Sequence, residues 1–453
     1  MSSKQRVFNT TENAILKISM KYLGFMRVGE VLHLRGPFIS LDALRTAVGC
    51  LQRRHPFLRS RLKNNPGSSN TYLMEEDSTL RLKIREIPRK RDQHLQFWKQ
   101  EWREREKDIP IVGEGLAEFW LLQDPDDRED DQAPREIIII CEHCICDGLS
   151  LSTVAHELLL ALGEEDKSLF KESLDWPVSM ETAIERSLSR WNRFTIFSKF
   201  LLNMLYWQMT LGRKSTRLPF ADVDFSLNDM CQHCHTEISS GTLNKDETQR
   251  LYDKCHQHNV TMNSAISSAI LRALSIEVVD KTAPITYAVP ADVRRRCSPP
   301  IPNHDLSYQV AGTAIFSIVA NDTPTTVEGM WQLAKTFGEY INSSISRGDV
   351  MALGMMLGKI YENDNGLVSG TSPLTGGITN WGRLPFQERY GQWDLLEMTS
   401  FGNGARSPTP IAVVYTVNGV LTISFSTAAP IISANVLQNI KDNTMTNLHS
   451  MMT

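Results

Sequence analysis

The stretch CEHCICDGLS, Cys141 to Ser150, puts three cysteines, a histidine and an aspartate into ten residues. Three chemistries could use such a set. Thiolates and an imidazole can hold zinc, paired thiols can exchange with a disulfide, and a positioned histidine can carry a proton. The metal reading lacks a second ligand pair at a suitable distance in the segment, and alternation along an extended chain sends Cys144 and Cys146 away from Cys141. The redox reading needs a thioredoxin-like βαβ context, which the chain does not show. Free cysteine is mostly a small buried apolar residue. What remains is His143 with Asp147 four residues on, across a tight turn that contains Gly148.

A second set spells zinc more closely: Cys231-x2-Cys234, then Cys255-x2-His258, near the spacing of zinc ribbons. Cys234 leads into the strand-like CHTEISS, however, and Cys255 sits on a helical pattern with an apolar face. No metal is therefore expected at Cys231, Cys234, Cys255 and His258, with a structural ion as the alternative.

The elements that must carry His143 are legible on either side of it. EIIIIC is a short β-branched run of the kind a strand buried on both faces shows. LSTVAHELLLALG follows with Val154, Leu158 and Leu162 at helical spacing and Gly163 as a stop. The motif thus falls in the turn between a buried strand and a helix, where chemistry is usually mounted. Upstream, Leu44, Val48 and Leu51 share one face of a helix over 41–54, ended by His55-Pro56; FLRSRLK then alternates like a strand. The acidic stretch 123–136 reads as a solvated loop.

Residues 187–212 form a long helical pattern rich in Phe, Leu, Met and Trp. A core-packing helix with an apolar stripe is the first expectation; a helix lying in a membrane interface is the alternative. GRKSTRLPFADVD reads as a linker between an N-terminal half, 1–212, and a C-terminal half, 213–453. In the second half, two helices flank a turn at His258-Asn259, ITYAVP is an apolar strand, and Asn418-Gly419 joins two alternating strands as a hairpin. The fold class is mixed α/β.

A chain of 453 residues is long enough for two domains, each with its own core. Its 41% hydrophobic and 22% charged residues are those of a soluble globular protein. A net charge of −4 gives no reason to expect a nucleic-acid partner. The polar N-terminus lacks the apolar stretch of a secretory signal, and no run of 18 apolar residues suggests a membrane span. The eight cysteines are read as reduced thiols, in a cytoplasmic protein. A monomer is expected.

HCICDG resembles the H-x-x-x-D-G motif of the coenzyme A-dependent acyltransferase superfamily, which includes chloramphenicol acetyltransferase, condensation domains, alcohol acetyltransferases and polyketide-associated acyltransferases. Further stretches are similar to that superfamily in the same order: LDALRTAVGCLQRRHPFLRSRL, NVTMNSAISSAILRAL, VPADVRRRC and TNWGRLPF. The resemblance covers most of the chain, and lies nearest the alcohol-acetyltransferase and polyketide-associated branches. Glu142 stands where some wax-ester and condensation relatives carry another histidine, and TNWGR is only a loose counterpart of the plant enzymes' D-F-G-W-G.

The resemblance implies two chloramphenicol-acetyltransferase-like lobes, each an α/β sandwich, with a tunnel between them that meets at the histidine. It implies acyl transfer from acyl-CoA, or from a carrier protein's pantetheine arm, to an alcohol or amine, with acyl-CoA as co-substrate and no permanently bound cofactor. His143 would be the general base. Asp147 would hold the loop rather than complete a triad, with Arg294 as its partner, and Gly148 would serve the turn. The oxyanion needs a donor; Thr379 and Asn380, in a late loop with Gly382, are candidates. Arg295 and Arg296 form a basic cluster that is solvated by default and could meet coenzyme A phosphates. Rival readings are a carrier-dependent condensation enzyme making esters or amides, and a non-catalytic binding module of the same fold.

Overall fold

The run Ile137–Ile140 lies in mid-sheet. A computed structural model of the protein describes residues 4–68, 70–163, 168–210, 215–362 and 374–453. In it the strand Pro134–Cys141 pairs antiparallel with Val28–Arg35 along its whole length on one edge, and from Glu136 onward with Ala117–Gln123 on the other. Outside these come Trp393–Gly402 and Arg389–Tyr390 on one flank and Lys83–Pro88 on the other, giving six strands. Every residue from Arg135 to Cys141 is buried, which is why the run is apolar without alternation.

The helix Leu41–Arg54 starts where Ser40 Oγ accepts from the Ala43 amide at 3.1 Å and buries Leu44, Ala47, Val48 and Leu51, the expected face. His55 is extended and ends it. The strand expected over FLRSRLK is shorter: Pro56–Arg59 is a 3-10 turn and only Ser60–Asn64 is strand. Proline's fixed φ suits a first helical turn as well as an extended segment, and alternation alone cannot separate the two. His55 also ties this helix to Gly148–Leu162, its Nε2 lying 2.6 Å from Glu157 Oε2, while Arg54 Nε donates to Glu157 Oε1 at 3.2 Å. Burial alone would raise the Glu157 carboxyl; the hydrogen bonds and charges of His55 and Arg54 overcome it and hold it below the usual range.

The second six-stranded sheet runs Phe316–Val319, Pro284–Ala288, Gly376–Arg383, Ile411–Val417, Val420–Ala429, His235–Leu243. Gly376–Arg383 pairs parallel with both neighbours and the remaining pairs are antiparallel. Asn418 and Gly419 turn its hairpin at φ 50° and 86°, the left-handed pair that matches strand twist. Lys245–Gln257 and Met262–Glu277 are the two expected helices, with Asn259 left-handed between them. Leu251, Ile270, Ile378, Val414, Ile423 and Phe425 meet in the core of this half.

The chain divides into two units, each discontinuous: Met1–Ser179 with Pro300–Gln309 and Leu384–Asn403, and Met180–Pro299 with Val310–Arg383 and Gly404–Thr453. The boundary expected between residues 212 and 213 lies outside the described residues; the units part after Ser179, and two later segments return to the first. A composition shift marks a change in local sequence and carries no sign of such a return.

The helix Arg190–Thr210 does not fit the core-packing expectation. Phe200 is its buried apolar side chain among those described, while Trp191, Phe194, Leu202 and Leu205 are exposed. Apolar recurrence records which residues are present, not whether protein covers them. Among the described residues no helix is long and apolar enough to cross a membrane.

Candidate active site

The segment from Glu142 to Asp147 leaves the buried strand, turns, and enters the helix Gly148–Leu162. Ile145 N donates to Glu142 O at 3.1 Å, closing the turn. His143 Nδ1 lies 2.7 Å from the carbonyl oxygen of Cys146. A carbonyl can only accept, so Nδ1 carries the hydrogen and the neutral ring's lone pair resides on Nε2. The ring is partly buried, and Tyr308 meets it edge-on with centroids 5.1 Å apart. Desolvation pulls the imidazole below its ordinary pKa, partly offset by the Cys146 carbonyl and the charge of Asp147. The ring is therefore neutral at physiological pH with its acceptor nitrogen fixed, the state a general base requires.

Asp147 caps the helix. Its Oδ1 accepts from Ser150 N at 3.0 Å, and Ser150 Oγ accepts from Asp147 N at 3.0 Å. Its Oδ2 accepts from the amide of Gln309 at 2.9 Å. Ser150 Oγ also donates to Ser307 O at 3.2 Å, and Gln309 Nε2 donates to Val178 O at 2.7 Å. Thus Ser307–Gln309 is laced to the start of the helix and presents Tyr308 to His143. Gly148 is buried as the helix's first residue, and its φ is not left-handed; backbone conformation is not what calls for glycine there, contrary to the turn argument.

Burial pushes Cys144 and Cys146 well up, which keeps them protonated. Glu142 turns into the first unit, where Ser19 Oγ donates to it at 2.6 Å and Arg27 Nε lies at 3.2 Å. Arg27 also pairs with Glu118 at 3.0 Å. Arg27, Glu118 and Glu142, with Arg61, Arg85 and Lys107, line a cleft of about 800 Å³ that does not include His143.

A second buried carboxyl supports the helix from beneath. Glu30, opposite Ile139 in the sheet, accepts from Ser152 Oγ at 2.5 Å. Burial raises its pKa from 4.5 to about 8, with Ser152 opposing, and burial raises Glu142 to about 7. Both carboxyls hold protons in the folded chain that they release near 4.5 when unfolded, so stability declines as pH rises across that window. Glu30→Gln replaces one by a neutral group of the same shape. Between about pH 5 and 8 the variant's stability should fall less steeply than the wild type's, by up to about 1.4 kcal/mol per pH unit. Urea midpoints across this range provide the check; parallel slopes for the two proteins refute it.

His143, Asp147 and Gly148 lie in the first unit. The remaining candidates lie in the second. Arg294 is fully buried, with Nη1 3.5 Å from Asp292 Oδ1 and its amide donating to the same oxygen at 2.7 Å. Arg295 and Arg296 are exposed, and Arg296 Nη1 donates to Asp292 O at 2.8 Å. Thr379, Asn380 and Gly382 lie in the strand Gly376–Arg383 rather than a loop. A bulge between Asn380 and Gly382, with Gly382 at φ 73° and its amide donating to Asn380 Oδ1 at 2.8 Å, gives that strand loop-like composition.

Cys234 packs with Met230, Ala405 and Ile431, Cys255 belongs to the larger core, and His258 stacks on Trp331 at 4.3 Å. The structure therefore does not gather Cys231, Cys234, Cys255 and His258 into a ligand set. Among the described residues, His33, His94 and Glu136 bring ligand atoms within 4.8 Å of one another. His33 Nδ1 and Arg89 Nε already engage that carboxylate at 3.0 and 2.8 Å. A buried charge network accounts for the group without an ion.

Sequence reasoning missed Gln309, Ser307 and Tyr308, which are brought to the motif by the fold alone, and Ser150 as reciprocal cap. The latter had a signal: Asp147-x-x-Ser150 has the spacing at which an N-cap and the third helical residue pair.

Residues 236–426 match the family described as phthiocerol/phthiodiolone dimycocerosyl transferase C-terminus. No curated protein sequence matches the chain. Among solved structures, polyketide synthase associated protein 5 from Mycobacterium tuberculosis is 16% identical with a TM-score of 0.68, over 98% of each chain. Trichothecene 15-O-acetyltransferase from Fusarium sporotrichioides is 12% identical with a TM-score of 0.76, over 99% of this chain and 95% of that one. The condensation domain of the monacolin K polyketide synthase MokA is 10% identical with a TM-score of 0.68, over 100% of this chain and 98% of that one.

Proposed function

We propose that this chain, which has the two-unit fold of the coenzyme A-dependent acyltransferase and condensation-domain superfamily, moves an acyl group from an acyl-CoA thioester to the hydroxyl of a small-molecule acceptor. His143 is the general base. Its Nε2 takes the acceptor's hydroxyl proton as that oxygen attacks the thioester carbonyl. The tetrahedral intermediate collapses with cleavage of the carbon–sulfur bond, and the proton passes from Nε2 to the departing thiolate. No acyl-enzyme is formed. Asp147 positions the loop by holding the Ser150 and Gln309 amides, and Arg294 is assigned to the same supporting role. The oxyanion donor is assigned to the Thr379–Asn380 strand.

One observation carries this reading: the Cys146 carbonyl holds His143 Nδ1 as a donor, which reserves Nε2 as the proton acceptor. The buried, protonated thiols support the same assignment by leaving the imidazole as the reactive group of the loop. The test is a panel of acyl-CoA thioesters and alcohols, read by thiol release and by mass of the ester. Acceptor-dependent thiol release supports the reading; no turnover of any thioester favours a binding module.

Likeness to condensation domains raises a carrier-bound donor as the other possibility. Exposed Arg295 and Arg296 are assigned to the coenzyme A phosphates, so reversing both charges should raise KM for acyl-CoA about tenfold. KM for the same acyl group on pantetheine, which lacks the nucleotide phosphates, should stay unchanged. Equal KM changes for the two donors refute the assignment, and turnover with an acyl-loaded carrier alone would replace coenzyme A as the donor.

A further inference from the structure

The helix Arg190–Thr210 leaves most of its described apolar side chains in solvent. Trp191 is 73% exposed, Phe194 62%, Leu202 67%, Leu205 54% and Met209 70%. All six residues from Leu201 to Tyr206 are exposed. At 100° per residue, six successive positions cover the whole circumference of a helix. No flat protein surface covers such a segment on all sides; a medium that surrounds it does.

The charge of the segment selects the medium. From Arg186 to Phe220 the sequence holds Arg186, Arg190, Arg193, Lys199, Arg213, Lys214 and Arg217 and no Asp or Glu, within a chain whose net charge is −4. A second copy seated on this face would set cations against cations. An anionic surface with an apolar interior fits both properties.

A cleft of about 360 Å³ near the start of the helix adds a seat for a headgroup or chain. Phe194, Phe197 and Met355 line it, and Arg190 and Arg193 rim it. The Arg193 guanidinium lies 3.4 Å from Glu185, a pairing on the protein's rim with Glu185 60% exposed. Lys199 and Met209 are ten residues apart, so the apolar end extends about 15 Å beyond the last cation of the helix.

We infer that Arg190–Thr210 is a lipid-docking element. Its exposed apolar side chains enter the headgroup–acyl boundary of an anionic bilayer, and its flanking cations, Arg190, Arg193 and Lys199 among them, meet the phosphates. The element is separate from the His143 loop, and its lipid binding does not depend on the proposed acyl transfer.

The test is flotation of the full chain with vesicles of phosphatidylcholine alone and with added phosphatidylglycerol. The wild type should partition onto the anionic vesicles at least about tenfold more strongly. Leu202→Glu with Leu205→Glu should reduce that partition at least about tenfold, while the unfolding transition and turnover of a water-soluble thioester stay unchanged. Arg190→Glu with Arg193→Glu should restore indifference to lipid charge. Failure of the wild type to float with either vesicle overturns the inference. So does concentration-dependent dimerisation that the Leu202/Leu205 variant abolishes, since a second copy would then be the partner.

Discussion

His143→Ala should lower acyl transfer at least about 100-fold, with the fold retained. A hydroxyl is a weak nucleophile at neutral pH, and positioned proton transfer is worth about 10²–10⁴ in rate, or roughly 3–5.5 kcal/mol of barrier. The remaining acceleration would come from holding donor and acceptor in line, which the substitution leaves in place. The structural cost is small because the imidazole's one strong hydrogen bond is to a backbone carbonyl on its own loop, Cys146 O. Losing it costs about 1 kcal/mol. Thiol release at saturating acyl-CoA and acceptor, beside a denaturation curve, separates the two effects. An undiminished rate would remove the mechanism.

Asp147→Ala should lose both stability and rate. The substitution removes the cap of Gly148–Leu162, worth about 1 kcal/mol. It also leaves the buried Gln309 amide without its acceptor, a further 1–3 kcal/mol or so. Roughly 2–4 kcal/mol is the expected destabilisation. With one tie between the Ser307–Gln309 segment and the helix start lost, the His143 loop and Tyr308 should shift, and kcat should drop at least about tenfold while KM for the acyl donor changes little. Asp147→Asn is the informative companion. Its single carbonyl oxygen can accept from Ser150 N, but its amide group faces the Gln309 N–H donor to donor, so it should recover about half of the lost stability. Loss of rate without loss of stability would instead make Asp147 a participant in proton transfer.

Much of this site could be read before the fold was known, and the reason is local. The Ile137–Ile140 run, Gly148–Leu162 and the turn between them are contiguous, so periodicity and turn chemistry located His143 at a strand end. The helix Leu41–Arg54 was legible in the same way. What escaped notice is what the chain brings from afar. Gln309 meets Asp147 across 162 positions, and Ser307 meets Ser150 across 157. HDLSYQV carries no periodic signal, because its backbone makes the contacts: the Gln309 amide meets Asp147 and the Ser307 carbonyl meets Ser150.

The RHP stretch was recognisable as a motif, but its purpose appears only when His55 and Arg54 reach Glu157. TNWGR looked like a loop because a bulge borrows loop residues. Arg190–Thr210 was a clear helix whose surroundings were not legible, since apolar side chains read alike under protein and under lipid.

The pH dependence of kcat/KM for acyl-CoA, in wild type and in His143→Gln, tests the general-base assignment most directly. The account predicts activity that rises with pH through one ionisation lying below the ordinary histidine pKa, as desolvation of His143 requires, and a residual activity in the variant that lacks this limb. A limb that survives in His143→Gln, or a wild-type profile flat through the acid range, would contradict it.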